Sequence, residues 1–405
     1  MKILKGNVTT PRGFTGGAIC CSIKPTNTRR TDLGIIYSEV PCTAAGIFTT
    51  NKVQAAPVKL TRKHLANGRA QAVAANSYVA NTCTPDGDET ALAMAEAAAD
   101  ALGLETADII VASTGVIGRS LPVDAVKDGI ATLAPQLHVD GGDAVAKAIM
   151  TTDTVDKQAA IQCTLGGKTC TIGVVAKGSG MIDIQMGTML AFTTTDAAIS
   201  ASMLDAALRT AAETTFNMVC VDGDMSTNDT LTIMANGLAG NTEIREKNAD
   251  WQTFVDALTV LYTEMAKALA ADGEGATKLV MATVSGAVSE KDARIAAKSI
   301  IRSDLVKTAL FGSDANWGRI LCAIGYSGAA MDPETVEVSF SSEAGDITVC
   351  QAGRAVPVDE DRATAILDTK AVTIRVCLGE GPGKATAYGC DLSYDYVKIN
   401  GDYRS

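Results

Sequence analysis

The chain has 405 residues, 47% hydrophobic and 20% charged, with 35 basic against 46 acidic side chains and a net charge of −11. This composition excludes a disordered chain, and the acidic balance argues against a nucleic-acid binder or a protein drawn to anionic lipid. With no run of ~18 apolar residues and no leader-like start at Met1-Lys2-Ile3-Leu4-Lys5-Gly6, a soluble cytoplasmic protein of two or three lobes is expected.

In chain order, residues 88–104 are alanine-rich with an acidic first turn and predict a helix, followed by a strand over 107–112. Two short helices are predicted over 123–133 and 142–150, then strands over 169–176 and 188–194. Residues 196–216 predict a strong helix with Thr195 as its N-cap. An amphipathic helix over 250–271 ends near Gly273, a strand covers 278–284, and a shorter helix covers 293–301. Strands over 335–340, 371–378 and 385–399 fill the C-terminal third. The mixture predicts an α/β or α+β architecture, with a mixed or antiparallel sheet in that last third.

The 11 cysteines form no Cys-x-x-Cys pair, Cys20-Cys21 and Cys163/Cys170 being the closest. They read as reduced, buried thiols rather than as a zinc site or a disulfide framework. The two histidines are His64, in the polar stretch Thr61-Arg62-Lys63-His64 with an exposed setting expected, and His138, near a loop. Acyl chemistry usually draws its base from histidine, and nothing around these two fits that role. The stretch Gly379 to Ala385 comes near a phosphate loop but has Leu378 at the first Gly position and Ala385 in place of the metal-binding Ser/Thr. A turn between strands is expected there.

The segment from Lys177 to Ser200, KGSGMIDIQMGTMLAFTTTDAAIS, is the most unusual. Read blandly, it is a loop feeding a core strand. Read sharply, it holds a self-cleaving nucleophile. A hydroxyl at one residue can attack the carbonyl before it, and hydrolysis of the resulting ester frees a chain that begins with that residue. A preceding Gly tolerates the required geometry. The new α-amine, with a reference pKa of roughly 7.7–8.0, can serve as the base that histidine does not supply. Thr188 after Gly187 meets this requirement.

The same segment resembles the autoprocessing site of the ornithine acetyltransferase / glutamate N-acetyltransferase family of arginine biosynthesis. The likeness runs along nearly the whole chain: Pro11-Arg12-Gly13-Phe14, Ala44 to Asn51, Ala55 to Val58, Ala112 to Gly118, Ile149 to Thr154, Asp222 to Thr230, Asp272 to Lys278, Asn316 to Ile320, and the tail Tyr396 to Ser405. The resemblance implies an α/β sandwich of mixed sheets with helices packed outside and a smaller C-terminal lobe, related in logic to other self-processing N-terminal-nucleophile enzymes. It implies cleavage between Gly187 and Thr188 into chains 1–187 and 188–405, associated as a heterotetramer of two such pairs. Thr188 would be the nucleophile, and Thr114 with Gly115 the oxyanion hole. Lys177 would meet a substrate carboxylate and Glu274 a substrate amine. Asn400 and Ser405 would supply the substrate-contacting tail, and Thr154, or next Thr152, the binding threonine.

The implied reaction moves an acetyl group from N2-acetyl-L-ornithine to L-glutamate by a ping-pong route through acetyl-Thr188, with acetyl-CoA as a further donor in some members. No metal or organic cofactor is implied, and the partners are small-molecule substrates, with neither nucleic acid nor membrane. Two alternatives stand beside this: a self-cleaving aminopeptidase or amidase that releases its product to water, and a non-catalytic amino-acid-binding homologue. The chain departs from the family in two places. Ile184-Gln185 stand where Pro-Asn is usual, and Gly187 where Ala is usual, so a changed cleavage rate is expected. Tyr78-Val79 replace Gly-Asn in Asn76 to Asn81, which is expected to remove a flexible turn, add bulk and alter acceptor choice.

Overall fold

The computed structural model describes residues 1–183 and 189–402 and divides them into two compact units. The larger comprises residues 1–178, the described part of 185–213, and 225–265. The smaller comprises the described part of 179–184, 214–224, and 266 onward. Both draw residues from before and after position 187, so the expected cleavage point is not a boundary between folding units.

Among the described residues, the larger unit is built on a nine-stranded mixed sheet. Its order is Lys2–Leu4, Lys157–Leu165, Lys168–Lys177, Leu190–Thr195, Thr230–Ala235, Leu33–Phe48, Arg69–Asn76 and Ile109–Ser113, with Phe14–Ile19 paired to Leu33–Phe48. Thr230–Ala235 runs parallel to Leu190–Thr195, and Arg69–Asn76 parallel to Ile109–Ser113. Side chains alternate between two apolar layers: Ile36, Val73 and Ile110 enter one, Ile35, Ala72 and Ile109 the other. A sheet covered on both faces requires such nearly continuous apolar strands.

The smaller unit holds a second mixed sheet, in the order Arg354–Ala355, Gly345–Gln351, Glu337–Ser342, Ala371–Cys377, Leu279–Ala287, Gly383–Cys390, Val219–Met225 and Ile182–Asp183. Leu279–Ala287 is parallel to Ala371–Cys377 and antiparallel to Gly383–Cys390, the mixed pattern expected for the C-terminal third. The helix Glu290–Arg302 packs on this sheet through Ala293, Ala296, Ala297, Ile300 and Ile301, a single stripe at helical spacing. Its N-cap is Ser289, whose hydroxyl accepts the Asp292 N–H.

Several expectations need correction. The helix predicted over 196–216 is Ala201–Thr214, and Thr195 ends a strand instead of capping a helix. All three threonines of that strand are buried with satisfied hydroxyls: Thr193 pairs with the Tyr262 hydroxyl at 2.9 Å, Thr194 donates to the Val8 carbonyl at 2.6 Å, and Thr195 donates to that of Thr171 at 2.8 Å. The strand predicted over 385–399 stops at Cys390, and Ser393 caps the helix Tyr394–Gly401 by accepting the Asp395 N–H. His64 is half-buried, its Nδ1 2.8 Å from the Ile109 carbonyl, rather than exposed. All 11 cysteines are free thiols, but Cys83 and Cys322 are exposed rather than buried. Among the described residues, no helix is long and apolar enough to cross a membrane.

Candidate active site

In the larger unit, Thr114 and Gly115 follow directly on the strand Ile109–Ser113. The Thr114 N–H donates to the Asn76 carbonyl at 3.0 Å, and the Ser113 hydroxyl donates to Asn76 Oδ1 at 2.6 Å. Buried Asn228 holds the other side: its Nδ2 donates to the carbonyls of Ser113 at 2.8 Å and Ala80 at 2.6 Å, while its Oδ1 accepts the hydroxyls of Thr82 and Thr227. Two buried amides thus fix the start of the turn. Gly115 has φ +133°, and a methyl group there would lie 2.6 Å from the Val79 nitrogen and closer still to the Tyr78 carbonyl. Both its conformation and the approaching backbone require glycine.

Tyr78 and Val79 therefore lie directly against the expected oxyanion hole, with Val79 bridged to Thr114 and the Val116 N–H donating to the Tyr78 carbonyl at 3.0 Å. The turn expected to be lost there is kept: Tyr78 adopts φ +72°, a left-handed conformation open to glycine at no cost and strained in a tyrosine. The Arg30 guanidinium stacks 5.5 Å from the Tyr78 ring centre while donating to the Met150 and Thr151 carbonyls.

Lys177 ends the strand Lys168–Lys177 and is buried, its Nζ 3.3 Å from Thr114 Oγ1. The ladder sets it opposite Leu190, two residues beyond Thr188 in sequence. An ammonium there contributes positive charge beside the hydroxyl expected to face an oxyanion. Sequence reading missed the group that balances it, Asp153. This carboxylate is fully shielded from solvent; Oδ1 pairs with Lys157 Nζ at 2.7 Å and accepts the Gly178 N–H at 2.7 Å, and Oδ2 accepts the Thr151 N–H at 3.0 Å. Burial alone would raise the Asp153 carboxyl, but the ammonium groups of Lys177 and Lys157 outweigh it and hold it at about 2. Asp153 thus ties the Thr151-Thr152-Asp153-Thr154 loop to the residue after Lys177. Thr154 is exposed and Thr152 half-buried.

In the smaller unit, Glu274 is buried in the turn between the helix Ala249–Ala271 and the strand Leu279–Ala287. Its N–H donates to the Ser179 carbonyl at 2.8 Å, and its Oε2 accepts the Asn400 Nδ2–H at 2.8 Å. Two expected substrate contacts, Glu274 and Asn400, are therefore neighbours. The segment leading towards the expected cleavage point is anchored too. The Asp222 carboxylate accepts the N–H groups of Met181 at 2.6 Å and Ile182 at 2.8 Å and the Tyr396 hydroxyl at 3.3 Å. Burial pushes the Asp222 carboxyl up, against the pull of these donors. Asp183 pairs with Lys298 at 3.3 Å and Arg302 at 3.2 Å.

Gly187, Thr188 and Ser405 lie outside the described residues. Among those described, no three His, Cys, Asp or Glu side chains are grouped to hold a metal ion.

Comparison with known proteins gives a consistent family. The ArgJ family profile matches residues 15–405. The arginine biosynthesis bifunctional protein ArgJ of Symbiobacterium thermophilum is 50% identical over 406 residues, covering all of both chains. ArgJ 1 of Clostridium acetobutylicum is 49% identical over 407 residues, covering 100% of this chain and 99% of that protein. Among solved structures, ArgJ from Bacillus halodurans aligns with 51% of this chain and 96% of its own at 45% identity and a TM-score of 0.49. An ornithine acetyltransferase from Mycobacterium tuberculosis, complexed with ornithine, aligns with 47% of this chain and 99% of its own at 37% identity and a TM-score of 0.42. Matched along almost its whole length, and half identical to full-length relatives, this chain belongs to the ArgJ family.

Proposed function

We propose that the chain is an acetyltransferase of arginine biosynthesis that moves the acetyl group of N2-acetyl-L-ornithine to L-glutamate through an acetyl-Thr188 ester. The observation that carries this reading is the full-length identity of half to a protein named arginine biosynthesis bifunctional protein ArgJ. The buried Lys177 ammonium at the Thr114 hydroxyl supports it.

The chain first breaks its own backbone between Gly187 and Thr188, leaving chains 1–187 and 188–405 associated as a heterotetramer in the cytoplasm. In the first half-reaction Thr188 Oγ attacks the acetyl carbonyl while the Thr188 amine takes the hydroxyl proton. The Thr114 hydroxyl and the Gly115 N–H donate to the tetrahedral oxyanion, an effect worth about 3–4 kcal/mol per donor. The C–N bond breaks, the Thr188 ammonium returns the proton to the departing amine, and ornithine leaves. In the second half the glutamate amine attacks the ester carbonyl and gives a proton to the Thr188 amine, which passes it to the Thr188 oxygen as the C–O bond breaks, and N-acetylglutamate leaves. Lys177 takes a substrate carboxylate, Glu274 a substrate amine, and Thr154, Asn400 and Ser405 its remaining polar groups. Acetyl-CoA enters as a second donor, in keeping with the word bifunctional in the relatives' names. The chemistry draws on side chains, backbone and an α-amine alone, with no metal or organic cofactor.

The test is ornithine release from acetylornithine with and without glutamate. Transfer predicts release that depends on glutamate, with N-acetylglutamate formed in equal amount. Release at the same rate without glutamate identifies a hydrolase and overturns the reading.

A further inference from the structure

Gly180, in Lys177-Gly178-Ser179-Gly180-Met181, has no part in the chemistry above. We infer that Gly180 is a specificity-determining position: the side chain it lacks leaves the space in which the Glu274 carboxylate sits, so residue 180 sets where the amine-binding charge is held. The inference rests on Glu274 serving the substrate amine.

A methyl group on Gly180 would lie 2.6 Å from Glu274 Oε1 and nearer still to Cδ and Oε2. The backbone around Gly180 is held from both sides within the smaller unit. The Ser179 hydroxyl donates to the Asp272 carbonyl at 2.7 Å, and the Ser179 carbonyl accepts the Glu274 N–H at 2.8 Å. On the other side are the Asp222 bonds to Met181 and Ile182 and the Asp183 pairs with Lys298 and Arg302. The strap therefore cannot withdraw to make room, and the carboxylate cannot lie where it does if residue 180 carries any side chain.

Gly180 differs in kind from Gly115. Gly115 has a left-handed backbone and meets other backbone atoms, so a side chain there strains the fold. Gly180 lies outside the left-handed region, and the atoms in its way are the far end of one flexible side chain. Alanine at 180 is thus conformationally permitted, and its effect falls on the position of Glu274 and, through the 2.8 Å bond, on Asn400. A charge-assisted hydrogen bond is short, about 2.7–2.9 Å between heavy atoms, so a carboxylate moved by an ångström or more no longer receives an ammonium in the same place.

The experiment uses the full chain in four forms: wild type, Gly180→Ala, Glu274→Ala and the double variant. Ornithine affinity is read by calorimetry, KM and kcat by steady-state transfer, and integrity by Tm and backbone processing. Gly180→Ala is expected to process normally and to hold its Tm within about 5 °C. It is expected to weaken ornithine binding and raise KM roughly tenfold, with kcat changed far less. In the Glu274→Ala background the same substitution should add nothing. Wild-type affinity in Gly180→Ala, a larger fall in Tm, or an undiminished effect without Glu274 each overturn the inference. Wild-type ornithine binding by Glu274→Ala overturns instead the assignment of Glu274 on which it rests.

Discussion

In the larger unit the expected oxyanion donors stand at the end of a strand buried on both faces, whereas in the smaller unit the expected amine-binding carboxylate stands in a turn beside an exposed helix. Thr114 is held by the sheet register, by Asn76 and by Asn228, and Lys177 by its ladder and by Asp153 through Gly178. Among the described residues, Glu274 is held by its backbone bond to Ser179, by Asn400 and by the hollow at Gly180. Groups of the first kind cannot shift without disturbing the sheet, which suits donors that must already point at a developing charge. Groups of the second kind can shift by a side-chain rotation, which suits recognition of the ligand. The comparison thus separates variants that lower turnover from variants that weaken binding.

Thr114→Val tests the rigid side most severely. It removes one proposed oxyanion donor, and kcat should fall about 10²–10³-fold with KM changed only a few-fold. Steady-state kinetics with acetylornithine read this, and Thr114→Ser should restore much of the loss. A fall confined to KM would break the comparison.

Asp153→Ala comes next and should appear in stability. It leaves the buried Lys157 and Lys177 without their shared carboxylate, at a cost of roughly 3–5 kcal/mol in urea unfolding. The sign with pH follows from a carboxyl held at about 2, below its ordinary value of 3.8. Its stabilisation is complete above 3.8 and is lost as pH falls towards 2. The gap between wild type and variant should therefore be constant near neutrality and close in acid. A gap that widens in acid would contradict the assignment.

Asn400→Ala should have the smallest effect, a rise in amino-acid KM of roughly three- to tenfold with kcat unchanged, since it removes one partly buried hydrogen bond to Glu274. A large fall in kcat would place Asn400 with the rigid donors.

Much of this arrangement was legible in the sequence, and the failures have physical causes. The helix at 87–102 follows from alanine content and an acidic first turn, those at 123–133 and 249–271 from apolar periodicity, and the mixed C-terminal sheet from its run of strands. Leu33–Phe48, the longest strand, goes unread because Gly34, Pro41 and Gly46 interrupt its pattern; the register shift between Tyr37 and Cys42 absorbs the proline. Thr195 imitates an N-cap because a threonine before an alanine-rich run has the same composition whether its hydroxyl faces a helix start or a neighbouring strand. Val397 and Ile399 imitate a strand by alternating, although Ser393 two residues before Asp395 is a capping signal. The roles proposed for Thr114, Gly115, Lys177 and Glu274 rest on resemblance, and the structure adds the contacts that hold these residues. Asp153 lies in the matched stretch Ile149 to Thr154 but goes unread, because its partners are set only when the fold brings Lys157 and Lys177 to it. Asn228 and Gly180 lay within matched motifs, but their purpose depends on contacts distant in sequence.

In the proposed mechanism one hydroxyl becomes a catalyst by acquiring its own amine. Intact mass spectrometry of the purified wild type beside Thr188→Ala, with acetyl transfer assayed on the same samples, tests it most directly. The wild type is expected to show two fragments, of residues 1–187 and 188–405, together with transfer, and the variant one uncut inactive chain. A single uncut chain that transfers acetyl groups at the full rate, or an active Thr188→Ala protein, would contradict it.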